Sequence, residues 1–159
     1  MEYRKVGPGD IDALVRIRER TDWGGEDSRP RTAAYLAGTH HPQKALAPRV
    51  IYLAEDDGEA IGFIAGHLTR RYDCDGELQW IVVVPDRWGA GVADGLLERL
   101  ASWFVEEGAR RVCVDVSPSN EAARRFYRRH GAIDLNPHWL VWPDIGVALA
   151  GDEGGSEAD

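Results

Sequence analysis

The chain has few cysteines and no long apolar run. Its two cysteines, Cys74 and Cys113, lie far apart in a sequence of 159 residues, and their spacing fits neither a CxxC motif nor a metal site. We therefore expect two reduced thiols, a cytoplasmic location and no bound metal. No stretch of about 18 apolar residues occurs and no apolar signal segment opens the chain, so no membrane association is expected.

Basic residues are also scarce. The chain has 19 lysines and arginines against 27 acidic residues, a net charge of -8. A nucleic-acid partner is not expected, because such surfaces are basic. Part of the acidity lies in the last residues, and we expect a disordered tail over 146–159. The hydrophobic content of 43% suits one core, so a single domain over 1–145 is predicted.

The apolar patterns predict the element order β-α-α-β-β-β-α-β-α-β, an α/β arrangement with a hairpin before a βαβ unit. Strands are expected at 3–6, 49–54, 60–69, 77–84, 112–116 and 133–142, the last interrupted by Pro137. Helices are expected from a cap at Asp10 and at 32–36, 92–107 and 121–130. The polar stretch 21–30 and the His40-His41-Pro42 break are predicted to be loops.

A glycine-bearing loop connects the apolar strand that ends near Val84 to the helix after it. The first N–H groups of a helix have no partner within the helix and lie at its positive end, so this turn predicts a site for phosphate or pyrophosphate. Gly89 and Gly91 lack a Cβ, which lets a ligand approach the backbone closely. For this loop alone, an ordinary strand-to-helix turn remains the alternative.

The same segment closely resembles the acyl-CoA-binding motif of the GNAT superfamily of N-acetyltransferases, Val-x-Pro-x-x-(Arg/Gln)-Gly-x-Gly-(Ile/Val)-(Gly/Ala) followed by paired leucines. The matching residues are Val83, Pro85, Gly89, Gly91, Val92, Ala93, Leu96 and Leu97. One position departs from the motif, because Trp88 stands where the family usually has Arg or Gln. The resemblance implies acetyl-CoA as cosubstrate, held by Ile81, Val83, Gly89, Ala90, Gly91, Val92, Ala93, Asp94 and Asn120.

A second motif follows downstream and resembles the family signature Asn-x-x-Ala-x-x-(Phe/Leu)-Tyr-x-x-x-Gly-Phe. It matches at Asn120, Ala123, Phe126, Tyr127 and Gly131. The resemblance implies that Tyr127 protonates the departing CoA sulfur and that Asn120 hydrogen-bonds the pantetheine region. Helical spacing alone favours plain core positions for Ala123 and Phe126, and a structural tyrosine is the alternative for Tyr127.

Amine acetylation also needs a base, because an amine with a pKa of about 10.4 is mostly protonated at neutral pH. Glu77, a few residues before the Val-x-Pro, resembles the general base of many family members. Strand alternation puts Glu77 on the face of Ile81 and Val83 unless a bulge intervenes. A solvated glutamate is the alternative, with Asp73 and Asp75 as further candidates. The backbone N–H near Val83 would polarise the thioester carbonyl.

Taken together, the resemblance implies the GNAT fold over nearly the whole chain, a mixed, mostly antiparallel sheet of about six or seven strands flanked by about four helices. It further implies an N-acetyltransferase that acts by direct attack of a primary amine in a ternary complex. The acceptor is a small molecule or a peptide, and residues around 23–27 and 138–142 would determine which acceptor binds. For the oligomeric state, the resemblance implies a homodimer as the default. A non-catalytic acyl-CoA-binding regulatory domain remains the alternative.

Overall fold

The computed structural model describes residues 1–21, 28–38 and 45–149. The α-helices are α1 (Ile11–Glu19), α2 (Ser28–Ala37), α3 (Val92–Glu106) and α4 (Glu121–Arg129). The strands are β1 (Glu2–Lys5), β2 (Ala45–Asp56), β3 (Glu59–Thr69), β4 (Gly76–Val83), β5 (Val112–Asp115), β6 (Ile133–Asn136) and β7 (Trp139–Trp142). Among the described residues, no helix is both long and apolar enough to cross a bilayer.

The strands form one seven-stranded sheet in the order β1-β2-β3-β4-β5-β7-β6. Every neighbouring pair is antiparallel except β4 and β5, which are parallel and are connected through α3. A parallel pair needs a crossover of this kind, and the apolar stripe of α3 packs the crossover onto the sheet. The predicted fold class, a mixed and mostly antiparallel sheet with flanking helices, is confirmed.

The sheet opens between β4 and β5. Their pairing covers only Gly76–Leu78 against Val112–Val114. Just beyond it, the register between β3 and β4 slips, so that Gln79 is an extra residue on β4 between the pairs Gly66–Leu78 and Ala65–Trp80. Such a β-bulge bends and twists its strand. From Gln79 onward, β4 pairs only with β3, and its other edge borders a gap within the described part of the sheet.

Each face of the sheet has its own helices. The glycines of the α3 face leave no room for a side chain: a Cβ on Gly66 would lie 2.8 Å from Leu100, and one on Gly76 would clash with Phe104. On the opposite face, Arg18 of α1 lies 4.4 Å from the ring centroid of Trp80, and the ring of Tyr35 in α2 lies 4.8 Å from that of Trp80. Residues of β4 can therefore be assigned to a face.

Several boundaries differ from the sequence prediction. The last predicted strand is two strands, β6 and β7, because Pro137 lies in the turn between them. Helix α2 begins at Ser28, within the predicted loop. Asp10 is the N-cap residue of α1, as predicted, but its side chain makes no capping hydrogen bond: its carboxylate accepts the Gly7 N–H at 2.9 Å and pairs with Arg4. The core extends past residue 145, since Ala148 is buried. The loop at 23–27, His40-His41 and the tail from 150 lie outside the described residues.

Candidate active site

A groove of about 860 Å³ lies between the open edge of β4, the glycine loop and α4. Most of the predicted donor-binding residues line it, together with the predicted acid: Ile81, Val83, Gly89, Gly91, Val92, Ala93, Asp94, Asn120 and Tyr127. Neither Ala90 nor Glu77 lines this groove. The two motifs, which are separate in the sequence, thus meet on the α3 face of the sheet.

Other lining residues were given no binding or catalytic role by the sequence analysis, although Pro85, Ala123 and Phe126 match the two motifs. They are Arg20, Thr21, Val82, Pro85, Arg87, Trp88, Ala122, Ala123, Phe126 and Arg129. Helical spacing assigned Ala123 and Phe126 to the core, and the structure leaves both half-buried, with one side on the groove. The glycine motif itself contains Arg87 and Trp88, so adjacency to that motif was the available signal for them.

The start of α3 has the geometry of an anion site. Gly91 is its N-cap with a φ of 85°, and no side chain caps the helix. Gly89 also has a left-handed φ, of 81°, and a Cβ at either glycine would meet no protein atom within 4 Å. Glycine is therefore required here by backbone conformation, since other residues rarely adopt positive φ. The uncapped N–H groups of the first turn border the groove.

Asp94 places a carboxylate in the same first turn, where it would repel a phosphate. Its Oδ1 lies 3.1 Å from Arg129 Nη2 and 2.6 Å from His130 Nε2, both at the end of α4. Arg129 is a lining residue, so the charge of Asp94 is balanced beside the groove. Asp94 therefore connects α3 to α4 and leaves the helix N-terminus available to an anion.

The open edge of β4 directs backbone groups into the groove. The Val84 N–H donates to the Ile61 carbonyl at 2.9 Å, so Val84 faces β3. Because successive residues of an antiparallel strand alternate in direction, the N–H and C=O of Val83 and Ile81 face away from β3. One of these groups is already engaged, since the Trp88 indole Nε1–H donates to the Val83 carbonyl oxygen at 2.8 Å.

Tyr127 lies on α4 with only 5% of its surface exposed. Its ring centroid is 5.4 Å from that of Phe126 and 5.7 Å from that of Trp142. Burial raises the pKa of Tyr127 above its ordinary value of 10.0, so the phenol keeps its proton at neutral pH. Asn120 caps the same helix, with its side-chain oxygen accepting the Ala123 N–H at 3.1 Å.

Glu77 lies on the other face of the sheet. It is paired with His67, whose neighbour Gly66 points at α3, and the extra residue Gln79 puts Glu77 on the face of Trp80. The exception stated for the alternation therefore applies: the bulge shifts the phase of the strand, and Glu77 does not share the face of Ile81 and Val83.

The Glu77 side chain is buried in a polar cluster rather than solvated. Its Oε1 lies 3.1 Å from Arg71 Nε and 3.6 Å from His67 Nε2. His67 is fully buried, and its Nδ1 is 2.8 Å from the Tyr35 hydroxyl. Burial raises the pKa of Tyr35 above its ordinary value of 10.0, so this phenol keeps its proton at neutral pH.

The two other carboxylates considered as bases have different positions. Asp75 Oδ2 accepts the backbone N–H groups of Arg110 and Arg111, each at 3.0 Å, and so holds the start of β5. Asp73 is exposed, in a turn with a φ of 58°. Neither contacts the groove.

The two cysteines, distant in sequence, are neighbours in the fold. Cys74 and Cys113 are free and buried, and they pack with Val141 in a small apolar cluster. Cys113 is paired with Glu77 across the β4–β5 ladder. Within the described residues, no group of histidine, cysteine and carboxylate side chains is arranged to hold a metal ion.

Comparisons with known proteins identify the family of this chain. The family model described as the Acetyltransferase (GNAT) family matches residues 15–132. An uncharacterised N-acetyltransferase of Mycobacterium bovis is 34% identical over 83 residues, 52% of this chain and 52% of that protein. The match thus spans about half the length of that curated relative.

Solved structures share the fold. A GNAT-family acetyltransferase from Desulfovibrio desulfuricans superimposes with a TM-score of 0.70 at 21% identity, covering 91% of this chain and 98% of that one. The PaiA N-acetyltransferase from Thermoplasma acidophilum, solved in complex with coenzyme A, gives a TM-score of 0.67 at 17% identity, covering 88% and 96%.

Proposed function

The chain belongs to the GNAT acetyltransferase family, and from that premise we propose that it transfers an acetyl group from acetyl-CoA to a primary amine. One observation carries the proposal: a single groove joins the uncapped N-terminus of α3, the open edge of β4 and Tyr127. These are the parts that a long ligand with a pyrophosphate, amide groups and a thioester requires.

The pyrophosphate of the donor fits the first turn of α3. Free N–H groups and the positive end of the helix dipole stabilise an anion there, and the glycines leave the approach open. Arg129 adds a cation beside Asp94, at 3.1 Å. Arg87 also borders the groove, where its Nη1 is 2.7 Å from Asp56. Fixed backbone donors, rather than free side-chain charges, would therefore supply most of the affinity.

The amide groups of the pantetheine arm fit the edge of β4. The backbone groups of Ile81 and Val83 face the groove, as those of an edge strand face an added strand, and in the free protein the Val83 carbonyl accepts a hydrogen bond from the Trp88 indole. A thioester at the end of this arm would lie at the gap between β4 and β5. There a backbone N–H of β4 would stabilise the negative charge that develops on the thioester oxygen.

Proton transfer would be divided between the two faces of the sheet. Glu77 would take the proton of the attacking amine, directly or through water, from the side of α1 and α2. The nitrogen then forms a bond to the acetyl carbon while the C–S bond breaks. Tyr127, on the α3 side, would protonate the sulfur. The acceptor amine would therefore enter opposite the donor, through the gap in the sheet.

The proposal is tested by incubating the purified protein with acetyl-CoA and a panel of primary amines, from polyamines and aminosugars to peptides. Free thiol release is measured with and without each amine. Amine-dependent release at a rate above hydrolysis supports the proposal. Binding of CoA without thiol release for any amine would instead support the alternative, a non-catalytic acyl-CoA-binding domain.

A further inference from the structure

Trp88 combines high exposure with a fixed hydrogen bond. It lies between β4 and α3 at the position where the family motif has Arg or Gln, and 69% of its surface is exposed. Its indole Nε1–H nevertheless donates to the Val83 carbonyl oxygen at 2.8 Å. The ring borders the same groove as the α3 N-terminus and Tyr127. A surface tryptophan would thus be held in place by a single backbone acceptor.

That acceptor belongs to the open edge of β4. The Val84 N–H is bonded to Ile61 of β3, so the Val83 carbonyl points away from β3. On that side the pairing with β5 has already ended at Leu78. The Val83 carbonyl is therefore one of the acceptors that an extended ligand would use if it added to β4 as a strand.

We infer that Trp88 is a positioning residue that caps the Val83 carbonyl in the free protein and releases it to an amide N–H of the pantetheine arm. This inference rests on the proposed function. The exchange replaces one hydrogen bond with another, and the released indole N–H can bond to water because the ring is exposed. No backbone movement is required.

Two consequences follow for binding. Only those protein molecules in which Trp88 has left the Val83 carbonyl can form the complete complex with the donor. The apparent dissociation constant for CoA therefore equals the intrinsic constant divided by the fraction of protein molecules that are uncapped. The cap also discriminates between ligands. ADP has a pyrophosphate but no pantetheine arm, so it can occupy the α3 N-terminus without displacing the indole.

The test compares wild type with Trp88→Phe, which keeps a ring but loses the N–H, and with Trp88→Ala, which loses both. Each protein is titrated with CoA and with ADP by calorimetry. We expect W88F to bind CoA about twofold to tenfold more tightly than wild type, the range of one net hydrogen bond. The affinity for ADP should be the same in wild type and W88F.

A spectroscopic readout identifies the exchange directly. The indole N–H resonance missing from the W88F spectrum belongs to Trp88, and in wild type it should shift when CoA is added but not when ADP is added. An unmoved resonance with bound CoA would overturn the inference. The inference would also be overturned if W88F bound CoA no more tightly than wild type, or if its affinity for ADP rose as much as its affinity for CoA. An increase in CoA affinity in W88A alone would overturn it too, because the ring and not its N–H would then be responsible.

The two proposals fail in different ways. If neither wild type nor W88F binds CoA, the proposed function is overturned, and the assignment of the pantetheine arm as the competing group falls with it. If wild type binds CoA tightly while the Trp88 resonance and the W88F affinity stay unchanged, the proposed function stands and only the role of Trp88 is lost.

Discussion

Replacing Tyr127 with Phe removes only the phenol oxygen of the proposed acid. Within the described residues this hydroxyl has no hydrogen-bond partner, and the ring contacts with Phe126 and Trp142 are kept. We therefore expect the free energy of unfolding of Y127F to change by no more than about 1 kcal/mol. Binding of CoA should also be retained, because the anion site and the β4 edge are untouched.

The catalytic effect should be much larger. General acid catalysis contributes about a hundredfold to ten-thousandfold. The sulfur of a thiol with a pKa of about 8.5 ends protonated at pH 7, so a positioned acid can assist its departure. We expect kcat to fall at least about a hundredfold at pH 7. The defect should persist up to pH 10, because burial keeps the wild-type phenol protonated there and expulsion of an unprotonated thiolate does not become faster with pH.

The assay is thiol release at saturating acetyl-CoA and amine from pH 6 to pH 10, with chemical denaturation run in parallel. Tyr52→Phe is the matched control, since Tyr52 is a half-buried tyrosine of β2 outside the groove. Its kcat should equal that of wild type. If Y127F keeps its kcat at pH 7 while CoA still binds, Tyr127 is not the acid and the proton for sulfur comes from elsewhere.

Three further predictions follow from the site and the fold. Glu77→Gln should lower kcat at least about tenfold, whereas the exposed Asp73→Asn should leave kcat unchanged. A wild-type kcat in E77Q would assign Glu77 a structural role only. Gly91→Ala and Gly58→Ala both introduce a Cβ at a positive φ, of 85° and 79°, so each should lower the free energy of unfolding by about 1 kcal/mol or more. Calorimetry should show weaker CoA binding for G91A and unchanged CoA binding for the control G58A. Burial raises the pKa of Tyr35 and Tyr127 in the folded state, so the unfolded chain loses these protons at a lower pH than the folded one. The contribution of the two tyrosines to the free energy of unfolding should therefore be fully present below about pH 10 and decrease above it, as measured by denaturant melts. An unfolding free energy that does not change up to about pH 11 would contradict the burial of these tyrosines.

Local signals were sufficient for much of the fold and for the donor side of the site. The glycine loop was predictable because positive φ at Gly89 and Gly91 favours glycine, and the order strand, helix, strand is that of a βαβ unit. Tyr127 and Asn120 follow at a fixed spacing on one helix. The partners of Asp94 were not predictable, because His130 lies 36 residues away and only the packing of α4 on α3 brings the two together.

The presence and position of the β-bulge could not be predicted from the sequence. Residues 80–84 form a continuous apolar run, which carries no alternation from which the extra residue at Gln79 could be detected. The contact between Cys74 and Cys113 was hidden for a related reason. It depends on the pairing of β4 with β5, which local sequence does not specify.

The bulge also explains how one strand can serve both faces of the sheet. Without the extra residue, Glu77 would share a face with Ile81 and Val83 and point at Leu100 and Phe104, where a carboxylate would be buried against apolar side chains. With it, Glu77 reaches Arg71, while Ile81 and Val83 still line the groove. The slip lies next to the point where pairing with β5 ends. One irregularity thus coincides with the gap through which donor and acceptor would meet and separates the proposed base from the proposed acid.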